Sequence, residues 1–179
     1  MEIEVSAEAK DKRLNRGVAV TVVVLSVAMG LGNIKDGNIV QAMEQAQARS
    51  VDRWNEYQAT RVKARVVETS MAEVAAARGT APATFTADLA RYKNETPQLK
   101  AQAQEFEAQY DALNIHDDQF DASEAALSTA ISVAAVAALV EAPWVLAAAW
   151  VFGAFGLFLS LCGFAGWGFH PDVLSTLLG

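Results

Sequence analysis

Apolar and charged residues occupy separate blocks of this chain. The stretch Gly17–Ile34 has 18 residues without a charge, and Ala125–Phe169 has 45 residues of which only Glu141 is charged. The 90 residues between them, Lys35–Glu124, carry 10 basic and 15 acidic side chains. Apolar blocks of this length on either side of a charged block are typical of a membrane protein and not of a soluble globule.

The first apolar block, 17–34, predicts one membrane-spanning helix. Its 18 residues would reach about 27 Å as a helix, against a hydrocarbon core of roughly 30 Å. Because lipid offers the backbone no hydrogen-bond partner, an isolated segment there can only be helical. Residues 1–16 precede it with basic side chains, and we expect a retained anchor rather than a cleaved signal peptide.

The second apolar block is too long for a single crossing, at about 67 Å if it is helical throughout. We expect a tight turn at Glu141-Ala142-Pro143, because proline suits the first turn of a new helix. This predicts a second span at 125–140 and a third at 144–169, followed by a short tail at 170–179. Trp144 and Trp167 fall near the two ends of the third span, as an aromatic belt predicts.

The charged block, 35–124, predicts a long helical hairpin outside the membrane. Asp36-Gly37-Asn38 is turn chemistry, and a helix of roughly 40 residues is expected to follow over Ile39–Arg78, which lacks Pro and Gly. The segment Gly79–Pro82 ends that helix, and Thr96-Pro97 predicts a kink or restart in the returning arm. The predicted fold is therefore all-α: three transmembrane helices with an antiparallel coiled-coil hairpin between the first and second.

Apolar positions of the first arm fall on two nearly opposite faces of a straight helix. We therefore expect this arm to bury different faces along its length, against more than one partner. One face carries Val40, Met43, Val51, Trp54 and Val62, and the other carries Val67, Met71 and Val74.

Basic residues near the spans predict the orientation. Four of them, Lys10, Lys12, Arg13 and Arg16, lie in the N-terminal segment, whereas those after the first span are more distant. Cytoplasmic flanks of membrane spans are enriched in Lys and Arg. We expect a cytoplasmic N-terminus, a periplasmic hairpin and a bacterial inner-membrane location.

Trp54, Tyr57, Gln58 and Arg61 recur at the spacing of a single helix face. An arginine stacked on aromatic rings could form a recognition patch. The alternative is a packing seam between arms or subunits, which we favour because aromatic stripes at helical spacing usually belong to a core.

The same region carries a family resemblance. The runs RLNRGVAVTVVVLSVAMGLGNI and AQARSVDRWNEYQATRVK resemble an uncharacterised bacterial membrane-protein family catalogued as a domain of unknown function. Its pattern is a basic start, a Val/Ala-rich span and then W-x-x-Y-Q-A with a nearby lysine, here Trp54, Tyr57, Gln58, Ala59 and Lys63. The family commonly has lysine directly after Y-Q-A, where this chain has threonine. The resemblance implies a membrane location and no particular activity.

Small residues line one face of the predicted third span. Ala149, Gly153, Gly156, Ser160 and Gly163 repeat at spacings of four and three, and small residues let helix backbones approach closely in lipid. Packing within the chain and packing between chains are both open explanations.

The remaining polar residues predict no catalytic, cofactor or metal site. Hydroxyls at Ser128, Thr129 and Ser132 could line a polar path, but such groups more often bond the preceding turn. His116 stands among carboxylates at a spacing that matches no metal-binding loop. The net charge of −7 argues against nucleic acid as a partner.

The function we expect is therefore that of a non-enzymatic membrane protein. It would associate with itself in the bilayer and serve as a scaffold or as an accessory subunit of a larger membrane complex. The alternatives are a homo-oligomeric channel or transporter lined by the second span, and a sensor or adaptor that binds a partner at the hairpin tip, 79–82.

Overall fold

The computed structural model describes residues 2–169, and their side chains at 12–77 and 79–169. Three helices make up nearly all of it: α1 (Glu2–Arg78), α2 (Ala83–Leu139) and α3 (Pro143–Ala165). No strand occurs among these residues, so the predicted all-α class is confirmed. The predicted tail, 170–179, lies outside the described residues.

Helix α1 is continuous for 77 residues, and the turn predicted at Asp36-Gly37-Asn38 is wrong. The Asn38 side chain donates a hydrogen bond to the Ile34 carbonyl, 2.9 Å away, within the same helix. A single glycine costs a helix only about 1 kcal/mol relative to alanine, so it does not by itself break one. The helix ends at Arg78 as predicted, where Gly79 adopts a left-handed φ of 81°.

Helix α2 is continuous for 57 residues and includes Pro97, so the predicted restart at Thr96-Pro97 is also wrong. Proline removes one backbone donor, and here the Thr96 hydroxyl donates to the Tyr92 carbonyl at 2.6 Å. The same helix continues without interruption from the charged block into the second apolar block. The last turns of the charged block and the apolar stretch that follows them are thus one cooperative hydrogen-bonded element.

The turn between α2 and α3 lies where the sequence predicts it. Glu141 has a φ of 54°, and Pro143 occupies the first turn of α3. Helix α3 ends at Ala165 because Gly166 adopts the left-handed conformation, with φ 68°. The helix therefore stops four residues before the predicted end of the third span.

The chain divides into two compact units. Unit 1 contains the described residues of Met1–Gln41 and Leu113–Gly179, and unit 2 is Ala42–Ala112. In unit 1 the early part of α1, the late part of α2 and all of α3 pack together. Leu14 and Val18 of α1 meet the Ala-rich end of α2 and the start of α3 around Leu146.

Much of the exposed surface of unit 1 is apolar. Each of the three helices contains a stretch long and apolar enough to cross a membrane. In the apolar stretch of α1 only 17% of the residues are buried within the protein, and valines such as Val23, Val27 and Val20 are more than half exposed. Water does not tolerate an apolar exterior of this extent on a monomer, whereas lipid covers it without cost.

Unit 2 buries a narrow row of residues that recurs every seven positions. The row contains small and polar side chains, such as Ala46, Thr60 and Ala103, beside a few large ones. Its buried or half-buried members are Met43, Ser50, Tyr57, Ala64 and Met71 together with Ala46, Arg53, Thr60, Val67 and Val74 on α1, and Phe85, Tyr92, Leu99 and Phe106 together with Leu89, Thr96, Ala103 and Tyr110 on α2.

The two faces expected for the first arm arise in part from this seven-residue repeat. A row of period 3.5 drifts by about 20° per seven residues relative to a straight helix of 3.6 residues per turn. Met43 and Met71 therefore lie about 80° apart on a helical wheel although both belong to one row. Val51 and Val62, which the sequence pattern grouped with Met43, are exposed instead.

Candidate interaction surfaces

Trp54 and Tyr57 are engaged inside unit 2. The Trp54 indole N–H donates to the Glu107 carboxylate of α2 at 2.7 Å. The rings of Trp54 and Tyr57 meet edge to face, with centroids 5.4 Å apart. Trp54 thus ties α1 to α2, as a packing seam would, and the Tyr57 ring packs against it.

Gln58 and Arg61, the other half of that patch, face an open cleft. The Arg61 guanidinium lies 5.5 Å from the centre of the Tyr57 ring, and its Nη1 atom donates to the Tyr57 hydroxyl at 3.4 Å. This arrangement uses one face and one N–H of the guanidinium and leaves its other donors available. The predicted patch is therefore divided between an internal contact and an outward-facing arginine.

The cleft beside Arg61 has a volume of about 690 Å³, and we name it the basic cleft. Arg61 and Arg65 stand four residues apart in its wall, and Glu68 is the carboxylate that lines it. Glu68 is already paired with Lys93 at 3.1 Å and with Arg65 at 3.5 Å. These cations lower the pKa of Glu68, Lys93 most of all. The lining is Gln58, Arg61, Val62, Ala64, Arg65, Glu68 and Thr96.

A second cleft of unit 2, of about 340 Å³, carries the opposite charge, and we name it the acidic cleft. Glu107 and Asp111 of α2 contribute its charged side chains, and no basic residue lines it. Trp54 forms part of its wall. The lining is Gln47, Ser50, Val51, Trp54, Glu107, Tyr110 and Asp111.

Three valines lie exposed along one face of α1 in unit 2. Val51, Val62 and Val66 are 52%, 63% and 59% exposed, and their spacings of eleven and four place them within about 60° of one another. Val51 lines the acidic cleft and Val62 the basic cleft. The two charged clefts therefore share an apolar edge.

The small-residue face of α3 is covered within the chain. Ala149 is fully buried and Ser160 is nearly so. A Cβ atom at Gly153 would lie 3.1 Å from Leu25, one at Gly156 2.8 Å from Leu127, and one at Gly163 2.7 Å from Phe120. Side chains of α1 and α2 thus fill this groove, in keeping with the within-chain alternative. The Ser123 hydroxyl adds a hydrogen bond to the Gly156 carbonyl at 2.8 Å.

The hydroxyls of the second span bond to their own helix. Ser128 and Thr129 both donate to the Ala125 carbonyl, at 3.1 and 2.8 Å, and Ser132 donates to the Ser128 carbonyl at 2.9 Å. Each hydroxyl proton is therefore used locally. This is the arrangement that the sequence favoured over a polar path.

Carboxylates from α1 and α2 crowd together at one end of unit 1. The Asp36 and Asp117 side chains face each other, and Asp121 and Glu124 lie near Asp36. Burial and the negative charges of Asp36 and Asp121 raise the pKa of Asp117 to about 6. Burial and neighbouring carboxylates also raise the pKa of Asp36 and of Asp121. The protonated Asp117 can then donate to the ionised Asp36.

Gln119, which sequence reasoning did not single out, is the only fully buried amide in the described part of the chain. Its Nε2 atom donates to the Trp167 carbonyl at 2.8 Å and to the Phe169 carbonyl, so it holds the segment after α3 against α2. The His116 Nδ1 atom lies 3.0 Å from the Gln119 Oε1 atom. Within the described residues no three His, Cys, Asp or Glu side chains are arranged to hold a metal ion.

Three helices able to cross a membrane, together with a charged helical unit, define an all-helical protein of the membrane type. The family described as a domain of unknown function (DUF4337) matches residues 14–166. The match covers most of the 179 residues, so the chain belongs to that family, and the resemblance to an uncharacterised family is confirmed. Comparison with curated proteins and with solved structures gave no match.

Proposed function

We propose that this protein is a non-enzymatic membrane scaffold that associates with itself through unit 2, while unit 1 anchors it in the bilayer. The observation that carries the proposal is the contrast between the core and the surface of unit 2. Its core is a thin row that includes alanine, serine and threonine, whereas three valines remain more than half exposed on α1. A helix pair of this kind gains stability when a further helix covers the exposed face.

Unit 2 fits an antiparallel coiled coil of α1 and α2. The buried rows repeat every seven residues, which is the spacing of a left-handed coiled coil. Contacts between the helices run in opposite directions along the sequence: Trp54 bonds to Glu107, whereas Glu68 bonds to Lys93. This pattern supports the helical hairpin predicted from the sequence.

The charges at the ends of unit 1 support a cytoplasmic N-terminus. Arg13 and Arg16 flank Leu14, which packs where α2 and α3 meet. The opposite end, beyond Gly32, carries the carboxylates around Asp117. Because basic flanks remain on the cytoplasmic side, residues 42–112 would then lie on the opposite, periplasmic side of an inner membrane.

The size of the contribution from the valines follows from their exposure. Full burial of a valine side chain contributes about 1.5 kcal/mol or more. Each of the three is a little over half exposed, so covering all of them contributes on the order of 2–3 kcal/mol. This corresponds to roughly a hundredfold in a dissociation constant.

Native mass spectrometry of the full chain in mild detergent tests the proposal. We expect a defined homo-oligomer that a combined V51S/V62S/V66S variant populates far less at the same protein concentration. Ala101→Ser, a small exposed change on α2, is the matched control and should associate as the unaltered chain does. A strictly monomeric unaltered chain would refute self-association.

A further inference from the structure

The two charged clefts are successive sections of one groove. The four α1 positions that line the acidic cleft recur eleven residues later in the basic cleft. They are Gln47, Ser50, Val51 and Trp54 in the acidic cleft and Gln58, Arg61, Val62 and Arg65 in the basic cleft. Eleven residues make three nearly whole turns and about 16 Å of helix, so both clefts open on the same side of α1. On α2 the lining shifts by eleven residues in the opposite sense, from Glu107 to Thr96.

Basic and acidic side chains occupy different sections of this groove. In the basic cleft, Arg61 and Arg65 face a single carboxylate, Glu68, which Lys93 already binds. Arg65 is paired with Glu68 at 3.5 Å, whereas the ion pairs among the described residues do not include Arg61, so the basic cleft keeps a net positive charge. The acidic cleft presents Glu107 and Asp111, two carboxylates that are also four residues apart.

We propose that this groove is a self-complementary contact between two copies of the chain, in which the basic cleft of each copy lies on the acidic cleft of the other. The inference rests on the proposed self-association and names the surface and symmetry that it uses. A two-fold axis perpendicular to the groove brings both pairs of opposite clefts together at once, so that the two α1 helices run antiparallel. Such an isologous contact repeats every interaction twice.

The charges exclude the other two-fold arrangement, in which the axis runs parallel to the groove. A two-fold axis parallel to the groove would place arginine pair on arginine pair and carboxylate pair on carboxylate pair, which is unfavourable in both halves. In the perpendicular arrangement, guanidinium groups meet carboxylates with matching spacing, which suits paired hydrogen bonds. The same axis brings Val62 of one copy onto Val51 of the other and covers the apolar edge that the clefts share.

Charge reversal in one cleft at a time tests this contact in the full chain. In the first variant, R61E/R65E, both clefts are negative; in the second, Q47K/D111K, both are positive. The second variant keeps Glu107 and its bond to Trp54. We expect each variant alone to associate at least tenfold more weakly than the unaltered chain at low salt. An equimolar mixture should form heterodimers, because each cleft then meets its opposite.

The control K63E/K100E changes the net charge by the same amount as R61E/R65E does, at exposed positions outside both clefts. It should associate as the unaltered chain does, and circular dichroism should show equal helix content in all variants. Disulfide trapping gives a second measurement in a C162S background: V51C mixed with V62C should crosslink in preference to V51C with itself. Preferential V51C–V51C crosslinking would indicate the parallel arrangement and overturn the inference.

The outcomes separate the two proposals. A monomeric unaltered chain refutes self-association itself. If the unaltered chain associates, but the two reversed variants associate equally well or fail to recover on mixing, only the groove contact is overturned. Equal weakening by the control would likewise overturn it, because net charge and not the clefts would then be responsible.

Discussion

Asp117 gives the most direct test of the electrostatics at the acidic end of unit 1. Burial and the charges of Asp36 and Asp121 raise its pKa to about 6 from 3.8. The folded protein therefore binds this proton more tightly than the unfolded chain does. Below about pH 3 the group is protonated in both states and costs nothing. As the pH rises towards 6 the unfolded chain ionises first, so folding stability falls and then levels off above the folded-state pKa.

The magnitude follows from the shift. Two pKa units correspond to about 3 kcal/mol, but Asp117 is only half-buried, and solvent screening reduces the value to roughly 1 kcal/mol. Asp117→Asn retains a hydrogen-bond donor to Asp36 and cannot ionise. We therefore expect the variant and the unaltered chain to be equally stable at about pH 3, and the variant to be more stable by roughly 1 kcal/mol at pH 7.5.

Thermal unfolding in mild detergent, followed by tryptophan fluorescence between about pH 3 and 8, measures this difference. Glu105→Gln removes an exposed carboxylate from the same helix and should leave the pH profile unchanged. A carboxyl-carbon NMR titration of Asp117 reports its protonation directly. If the variant has the same pH profile as the unaltered chain, or is less stable at pH 7.5, the account of a proton held between Asp36 and Asp117 is wrong.

Two further changes test the packing of each unit. Gly156→Ala in unit 1 places a Cβ atom 2.8 Å from Leu127 and should lower the free energy of unfolding by about 1–3 kcal/mol. Gly37→Ala meets open space and should raise the free energy of unfolding by up to about 1 kcal/mol. If thermal unfolding shows the same effect for both variants, the close approach of α3 is contradicted. Trp54→Phe removes the 2.7 Å hydrogen bond to Glu107 and should cost about 1 kcal/mol in urea unfolding, while an unchanged midpoint would show that solvent replaces that bond.

Several features of the fold could be predicted because they follow from local chemistry. The turn at Glu141–Pro143 and the end of α1 at Arg78 were both found where glycine or proline alters the allowed backbone angles. Breaks at Gly37 and at Pro97 were predicted from the same residues and do not occur. The effect of a glycine or proline inside a long helix is opposed by the cooperative hydrogen bonds and the packing of the helix on both sides of it. The neighbouring residues in the sequence do not show how strong that opposition is.

The candidate surfaces could likewise be predicted only as far as local helical spacing determines them. Helical spacing predicts Trp54 and Arg61 on one face of α1, but it could not show that Trp54 bonds to Glu107 while Arg61 opens on a cleft. Each of those facts depends on a residue of α2, more than thirty positions away in the sequence. Gln119 was missed for the same reason, because its two acceptors are carbonyls that follow α3.

The sequence by itself determined the helical class and the three stretches able to cross a membrane, since length and hydropathy alone govern whether a segment can enter lipid. Only the tertiary structure decided which helix faces are covered by other side chains and which remain exposed. The glycine face of α3 is filled by Leu25, Leu127 and Phe120, and Val62 is left outside the core. A helical wheel treats these faces alike, because hydropathy records how apolar a surface is and not which other surface covers it.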